Sequence, residues 1–158
     1  MMYVTTAVEV EASPETVFAV YADHRLWPWL FPTIRSVRLV RREGRTVVLE
    51  IDHEEGRVLN RMTLFPPDEL LLWEEKRRYD ALFVNRFSAI PGGTLFTVTG
   101  FIWLTGPARW LRPFLGGVVR RRMRRLQLQP VKAAAEERSG RVRSREALVR
   151  LLRDRSGA

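Results

Sequence analysis

The sequence of 158 residues contains no cysteine, only two histidines, and no apolar run long enough to cross a membrane. The absence of cysteine excludes disulfides, thiolate catalysis and cysteine-ligated zinc. The N-terminus has no basic segment followed by an apolar one, so we expect no signal peptide. No stretch approaches the roughly 20 apolar residues that a membrane-spanning helix needs. These absences favour a soluble cytoplasmic protein.

The net charge of +9 comes entirely from the C-terminal part of the chain. Residues 1–119 carry 14 basic and 14 acidic side chains, whereas residues 120–158 carry 13 basic and 4 acidic ones. A cationic segment of this kind can attract nucleic acid, anionic lipid or an acidic partner. However, 25 of the 27 basic residues are arginine, so the coding bias of a GC-rich genome is the simpler explanation.

The N-terminal part of the chain predicts one strand followed by two short helices. Residues 3–12 alternate between apolar and polar side chains, which is typical of a half-buried strand. Ser13 is a favourable N-cap, and Pro14 suits the first position of the helix that follows. The next segment, 26–32, is rich in tryptophan and contains two prolines four residues apart, so it predicts a short and irregular connection.

The middle of the chain predicts six more strands in rapid succession. In the second of them, Val47, Leu49, Ile51 and His53 share one face. The last two are joined by a tight Pro-Gly-Gly hairpin at residues 91–93. Short connections of this kind make neighbouring strands antiparallel. The six segments are 34–42, 45–54, 57–65, 70–78, 82–90 and 94–104.

A long helix is predicted from Gly106 to about Glu137. Its arginines at positions 120, 121, 124 and 125 fall opposite an apolar stripe. Beyond Ser139 and Gly140, residues 144–154 predict a weak basic amphipathic helix. The apolar stripe of the long helix consists of Leu111, Leu115, Val119, Met123, Leu126 and Pro130.

Four segments in this order resemble the START-like or SRPBCC superfamily, and within it the polyketide cyclase/dehydrase and lipid-transport group. They are VEVEASPETVF at 8–18, WPWLFP at 27–32, PGGT at 91–94 and the helix at 106–126. The resemblance spans about residues 3–137.

The fold implied is the α+β helix-grip fold, in which a seven-stranded curved antiparallel sheet wraps around a long C-terminal helix, with two short helices after strand 1. It divides the chain into a helix-grip ligand-binding domain, 1–137, and a basic C-terminal tail, 138–158, that can form a short amphipathic helix.

The resemblance implies binding or transport of an apolar small molecule or lipid in a cavity between the sheet and the C-terminal helix. The alternative is a polyketide aromatase/cyclase that uses the same cavity. The resembled cyclases place an arginine on a middle strand where this chain has Phe65, which disfavours the enzyme. Transient contact of the basic C-terminus with an anionic membrane is a further expectation.

Nucleic-acid binding is the least favoured function, because residues 120–155 lack the aromatic side chains on which bases stack. We expect no cofactor, because no phosphate-binding loop or comparable motif is present. We also expect no metal, because the acidic cluster at 52–55 lies on a strand whose successive side chains point to opposite faces. No residue is assigned a catalytic role.

The ligand-binding residues are predicted from their places in the resembled fold and from strand alternation. The aromatics before the second strand and those at the start of the long helix are expected to gate or line the cavity, with core packing as an equal alternative. Glu75 and Asn85 are the predicted polar contacts. The full set is Trp27, Trp29, Phe31, His53, Trp73, Glu75, Phe83, Asn85, Phe87, Trp110, Phe114, Leu115, Val119, Arg122 and Met123.

Two charged or titratable members of this set have competing interpretations. Arg122 flanks the apolar stripe, so we hypothesise that it meets a carboxylate, phosphate or enolate at the cavity mouth. Alternatively, its stem covers apolar surface while its head stays in water. Arg61 is a similar candidate. His53 is more simply a lining residue than a general base.

Overall fold

The seven expected strands all form, and they pair in one antiparallel sheet. The structure is a computed structural model that describes residues 1–156. The strands are β1 (Met2–Val10), β2 (Ile34–Glu43), β3 (Thr46–His53), β4 (Gly56–Phe65), β5 (Glu69–Glu75), β6 (Tyr79–Ile90) and β7 (Gly93–Leu104). Their order is β1-β7-β6-β5-β4-β3-β2, so the first strand joins the sheet beside the last and every other neighbour is hairpin-linked.

The helices lie between strands β1 and β2 and after strand β7. They are α1 (Pro14–Ala22), α2 (Trp27–Leu30), α3 (Arg112–Met123) and α4 (Gln129–Ser156), with 3₁₀ turns at His24–Leu26 and Gly106–Leu111. Helix α1 begins as predicted, because the Ser13 hydroxyl accepts a hydrogen bond from the backbone N–H of Thr16.

The core lies between the inner face of the sheet and helices α1 and α4. The alternation predicted for the first strand is confirmed, since Val4, Val8 and Val10 are buried and their neighbours are more exposed. From the helical side, Val17 of α1 and Val131 of α4 are fully buried against the sheet. The observed architecture is the helix-grip arrangement, with the C-terminal helices held by the curved sheet.

A π-helical turn at Arg124–Leu128 separates α3 from α4 and changes which side of the helix is buried. Before this turn Met123 faces inward, whereas after it Val131 and Ala135 do. The predicted stripe was wrong at Leu111, which is exposed, and it did not include the buried Val131 and Ala135. A π turn adds one residue to a helical turn and so rotates every following side chain, which a regular spacing does not anticipate.

Helix α4 does not end near Glu137 as expected, but continues through Ser139 and Gly140 to Ser156. Its side chains from position 141 to 154 are exposed, so this part makes no core of its own. The division into a 1–137 domain and a 138–158 tail therefore stays a prediction. Within the described residues, no helix combines the length and apolar character needed to span a membrane.

Candidate functional site

A cavity of about 350 Å³ lies between the inner face of the sheet and helix α3. Phe83 and Leu72 line it from the sheet, and Leu115, Val119 and Met123 line it from the helix. The three helical positions recur at four-residue spacing on α3, so they lie on one face of the helix.

One side of the cavity is polar, and its groups form a hydrogen-bonded chain across strands β4, β5 and β6. Asn60 Nδ2 donates to Glu74 Oε1 at 3.2 Å, and these two residues are register partners in the β4–β5 hairpin. Glu74 Oε2 lies 3.4 Å from Lys76 Nζ, which donates to the Tyr79 hydroxyl at 2.8 Å. The Lys76 and Glu74 side chains are largely buried, with 10% and 15% of their surface exposed. All four residues line the cavity.

The electrostatics of this chain favour a charged lysine and a neutral histidine. Burial alone would lower the pKa of the Lys76 ammonium, but the carboxylate of Glu74 and the Tyr79 hydroxyl more than offset it, so the pKa is raised. Burial is also the main cause that raises the pKa of the Tyr79 phenol. The pKa of His53 is lowered, chiefly by burial and then by the charge of Lys76.

The neutral His53 ring has a defined tautomer. Its Nδ1 accepts a hydrogen bond from the backbone N–H of Glu55 at 3.2 Å. In a neutral imidazole one nitrogen accepts and the other carries the hydrogen, so His53 presents Nε2–H as a donor.

Asn60 has one polar atom without a partner. The residue is only 2% exposed, and its Oδ1 is the one buried side-chain oxygen or nitrogen without a hydrogen bond among residues 1–156. Rotating the amide by 180° would not give Oδ1 a partner, because it would place that oxygen against the Glu74 carboxylate, which can only accept hydrogen bonds. An acceptor is thus held buried at the cavity wall.

Arg122 lines the cavity at its solvent-exposed edge, here called the mouth, and forms an ion pair there. Arg122 donates to Glu54 Oε1 at 2.7 Å, and both side chains are about half exposed. Because its charge is already matched, Arg122 is not a free cation for a ligand anion.

A second buried network supports the cavity from behind. Gln127 Nε2 donates to the Tyr21 hydroxyl at 2.7 Å and to Asn85 Oδ1 at 3.3 Å, and Asn85 Nδ2 donates to the carbonyl of Leu70 at 3.1 Å. Burial raises the pKa of Tyr21 well above its ordinary value, so its phenol stays neutral. Tyr21 and Gln127 also line the cavity.

More than half of the predicted binding residues line the cavity, although their contact with a ligand stays a prediction. The aromatic ones are fixed by packing, and Trp27 in particular donates its indole N–H to the carbonyl of Tyr21 at 2.8 Å. The lining residues are Trp27, Phe31, His53, Phe83, Leu115, Val119, Arg122 and Met123.

Three predicted aromatics lie outside this cavity on the protein surface. Trp29 is 88% exposed, Trp110 74% and Phe114 79%. Within WPWL the short helix α2 directs Trp27 inward and Trp29 away, since residues two apart on a helix do not share a face. Phe114 lies next to the cavity-lining Leu115, and it faces solvent for the same geometric reason.

The inward face assigned to strand β5 was wrong. Leu70, Leu72 and Glu74 point inward, whereas Trp73 and Glu75 lie on the outer face. There Trp73 Nε1 donates to Glu75 Oε1 at 2.9 Å. A strand alternates strictly, so assigning Trp73 to the inner face moved the whole set by one residue.

Three other predicted residues do not line the cavity. Asn85 and Phe87 are buried behind the cavity, where Phe87 stacks on Phe96 with ring centroids 5.1 Å apart. Arg61 points outward from β4, 3.8 Å from a carboxylate oxygen of Glu75.

The sequence interpretation missed the polar chain of Asn60, Glu74, Lys76 and Tyr79. The signal was the alternation of β4 and β5, which places Asn60 and Glu74 opposite each other on the inner face. It was obscured because residues 74–78 form a run of charges, and such runs are normally solvated. Among residues 1–156 no three histidine or acidic side chains are arranged to hold a metal ion.

Known proteins share both the sequence pattern and the fold. The family described as polyketide cyclase/dehydrase and lipid transport matches residues 1–136. None of the curated proteins matches the chain. The solved structures compared below are less than 20% identical to this chain, so they show the fold alone.

One similar structure is the Zhui aromatase/cyclase from Streptomyces sp. R1128, with 18% identity and a TM-score of 0.73 over 86% of this chain and 94% of that one. A START superfamily protein from Mycobacterium smegmatis has 17% identity and a TM-score of 0.62 over 90% of this chain and 99% of that one.

The di-domain aromatase/cyclase StfQ from the steffimycin biosynthetic pathway has 17% identity and a TM-score of 0.69, and it is matched over 88% of this chain. This chain spans about half of that longer protein, at 52% of its length. The family match, the helix-grip architecture and these neighbours agree. The chain belongs to the polyketide cyclase/dehydrase and lipid transport family.

Proposed function

We propose that this protein binds and carries a small, mainly apolar molecule in the cavity between α3 and the sheet. The observation that supports this most is the cavity itself, about 350 Å³ in volume and walled largely by Phe31, Phe83, Leu115 and Val119. A space of this size with a few converging polar groups is typical of small-molecule sites. A carrier needs no reactive group, and none of these walls supplies one.

Native mass spectrometry of the purified protein, followed by solvent extraction and identification of any bound molecule, tests this proposal. A stoichiometric apolar molecule supports a carrier. A protein that is empty and also fails to bind naphthalene-sized probes in solution contradicts it. A variant with Val119→Trp provides a control, because an indole in the cavity should displace the cargo without removing any polar group.

A cyclase of the kind suggested by the similar structures is the second candidate. It is favoured by the buried Lys76 ammonium, which together with the Tyr79 hydroxyl can stabilise an enolate oxygen. It is disfavoured by Phe65, which stands where the resembled cyclases place an arginine. Phe65 lies at the end of β4, under the guanidinium of Arg45 and outside the cavity. Turnover of a linear polyketone thioester that is abolished in Lys76→Met would establish an enzyme. Stoichiometric binding without turnover would leave the carrier.

We infer that exchange of the cargo takes place at an anionic membrane. The outer side of the helix region around α3 exposes Trp110, Phe114 and Val118 at four-residue spacing, followed by Arg121 and Arg125. A row that combines aromatic and basic side chains suits the interface of an anionic bilayer. The opposite side of the same helix lines the cavity, so a docked membrane would lie against the cavity wall.

Sedimentation with vesicles of phosphatidylglycerol and phosphatidylcholine, compared with phosphatidylcholine alone, tests this contact. Phe114→Ser should weaken binding to the anionic vesicles about tenfold or more, because one buried phenylalanine contributes about 1.5–3 kcal/mol. Leu59→Ser, at an exposed apolar residue on the outer face of the sheet, is the matched control and should change nothing. Equal binding to both vesicles, or no binding, contradicts the inference.

A further inference from the structure

The polar side of the cavity has a defined arrangement of donors and acceptors, and so it specifies the chemistry of the ligand. Asn60 Oδ1 is a buried acceptor without a partner, and Glu74 fixes the amide in that orientation. Leaving such an acceptor unpaired is costly. The oxygen exposes almost no surface in this structure, so a ligand hydroxyl would reach it only after a small shift of the surrounding side chains, and it would then recover that free energy.

The neighbouring groups are donors. The Tyr79 oxygen already accepts a hydrogen bond from Lys76, so its own O–H is available to donate. His53 presents Nε2–H, because its Nδ1 accepts from the backbone of Glu55. A ligand that offers a hydroxyl to Asn60 and an oxygen acceptor to these donors satisfies the whole polar side.

The charges on this side leave no cation for an anionic ligand. Lys76 is matched by Glu74, and Arg122 at the mouth is matched by Glu54. A further carboxylate, Glu55, lines the cavity. An incoming carboxylate or phosphate would lose its hydration and meet no uncompensated positive charge, which is unfavourable in a buried site.

We propose that Asn60 is the recognition residue of the cavity, and that it selects a neutral apolar ligand bearing a hydroxyl group over its ether and its carboxylate analogues. This inference rests on the proposed binding function and specifies the ligand class of the same site. Asn60 Oδ1 is the one buried side-chain acceptor without a partner among the described residues, and an analogue without the donor leaves it unpaired.

Three naphthalene derivatives distinguish the possibilities in isothermal titration of the full chain. They are 2-naphthol, which donates a hydrogen bond, 2-methoxynaphthalene, which has the same ring system without the donor, and 2-naphthoate, which is anionic. The wild-type protein should bind 2-naphthol about tenfold or more tightly than either analogue. In Asn60→Leu the preference for 2-naphthol over the ether should disappear, because leucine offers no acceptor to the naphthol hydroxyl.

Two failures of this experiment have different meanings. If the three compounds bind with equal affinity, or if Asn60→Leu keeps the preference for 2-naphthol, the recognition role is wrong while the binding function stands. If none of them binds and the purified protein is empty, the binding function falls and the inference falls with it. If Asn60→Leu does not fold, the comparison within the wild-type protein still tests the ligand class, because equal affinities for 2-naphthol and 2-methoxynaphthalene overturn it.

Discussion

The Arg122 guanidinium, 2.7 Å from a Glu54 carboxylate oxygen, joins helix α3 to the chain directly after strand β3. The pair holds Arg122, the one arginine among the described residues that line the cavity. Because both side chains are about half exposed, the pair contributes at most about 1 kcal/mol to the stability of the fold. If the cavity binds a ligand as proposed, the pair should matter more for selectivity, since it leaves no unmatched cation at that edge of the cavity.

Glu54→Gln should therefore improve the binding of an anion. With Arg122 released, the affinity for 2-naphthoate should rise up to about fivefold, which corresponds to about 1 kcal/mol for one partly exposed pair. The affinity for 2-naphthol should stay the same, and titration calorimetry measures both. Glu43→Gln is the matched control, because that carboxylate pairs with Arg41 on the edge strand. An unchanged affinity for 2-naphthoate in Glu54→Gln would show that the pair does not govern selectivity.

The buried pair of Lys76 and Glu74 should behave differently from exposed pairs. Lys76→Met leaves the Glu74 carboxylate buried without its cation and should cost about 3–5 kcal/mol in the free energy of unfolding. The double variant with Glu74→Gln removes both charges and should recover most of that loss. Urea denaturation of the single and double variants measures the difference.

An exposed ion pair between strands β5 and β6 provides the control for these variants. Arg86 pairs with Glu69 across β5 and β6 at 2.9 Å, and the arginine is largely exposed. Arg86→Met should cost no more than about 1 kcal/mol. If Lys76→Met and Arg86→Met cost the same, the polar side of the cavity is solvated and the pair is not buried in solution.

The stability of the fold should fall in mildly acidic solution because of His53. An unfolded histidine has a pKa of about 6.5, and burial lowers the pKa of His53 in the fold. Below about pH 6.5 the unfolded chain therefore binds more protons than the folded one, and the free energy of unfolding decreases. The stabilising contribution is fully present above that pH and is lost as the pH falls through the lowered folded pKa.

Urea denaturation at pH 7.5 and at pH 5.0 tests this, with His53→Gln as the comparison. The wild-type protein should lose more stability between the two values than the variant does. Burial also lowers the pKa of His24, which acts in the same direction, but His24 is present in both proteins and cancels in the comparison. Equal losses in the two proteins would mean that His53 is not buried as a neutral ring.

Much of the fold could be predicted from the sequence, because local patterns of residues indicate strands and helix starts. All seven strands and the capped helix α1 followed from alternation and from Ser13-Pro14. The π turn at Arg124–Leu128 did not, since nothing in the local spacing marks a single extra residue in a turn. The continuation of α4 through Gly140 was missed for a related reason, because glycine lowers helix propensity without forbidding the helix.

The candidate site was only partly predictable, because lining depends on strand parity and on tertiary pairing. His53 and Arg122 were placed at the cavity by their strand and helix faces. Glu74 was not, because a tryptophan beside it suggested the opposite parity for β5. The ion pair of Arg122 also could not be anticipated, because its partner Glu54 lies 68 residues away in the sequence.

The hydrogen bonds of Gln127 should make that residue a strong determinant of stability. Gln127→Leu removes donors to the Tyr21 hydroxyl and to Asn85 Oδ1, and the latter residue is completely buried. Leaving these atoms without the donor should cost about 1–3 kcal/mol. Gln129→Leu, two residues later and exposed, is the matched control and should have almost no effect. Equal midpoints of thermal unfolding for the two variants would contradict a structural role for the network.

Helix α3 carries two consecutive glycines between the cavity-lining Leu115 and Val119, and glycine lowers the helix propensity of this segment. An added β-carbon at Gly116 would meet no atom within 4 Å, and the backbone there is helical. Gly116→Ala should therefore stabilise the helix by up to about 1 kcal/mol. Gly93→Ala is the opposite case, since its β-carbon would lie 2.0 Å from the Val10 carbonyl oxygen and should destabilise the fold.

If the cargo leaves by local unwinding of α3, the same Gly116→Ala change should slow its release. A barrier raised by about 1 kcal/mol slows dissociation about fivefold. Stopped-flow displacement of bound 2-naphthol measures this rate, and thermal unfolding of the same variant measures its stability. A variant that is more stable but releases 2-naphthol at the wild-type rate would show that the cargo leaves by another route, such as the mouth between Arg122 and Glu54.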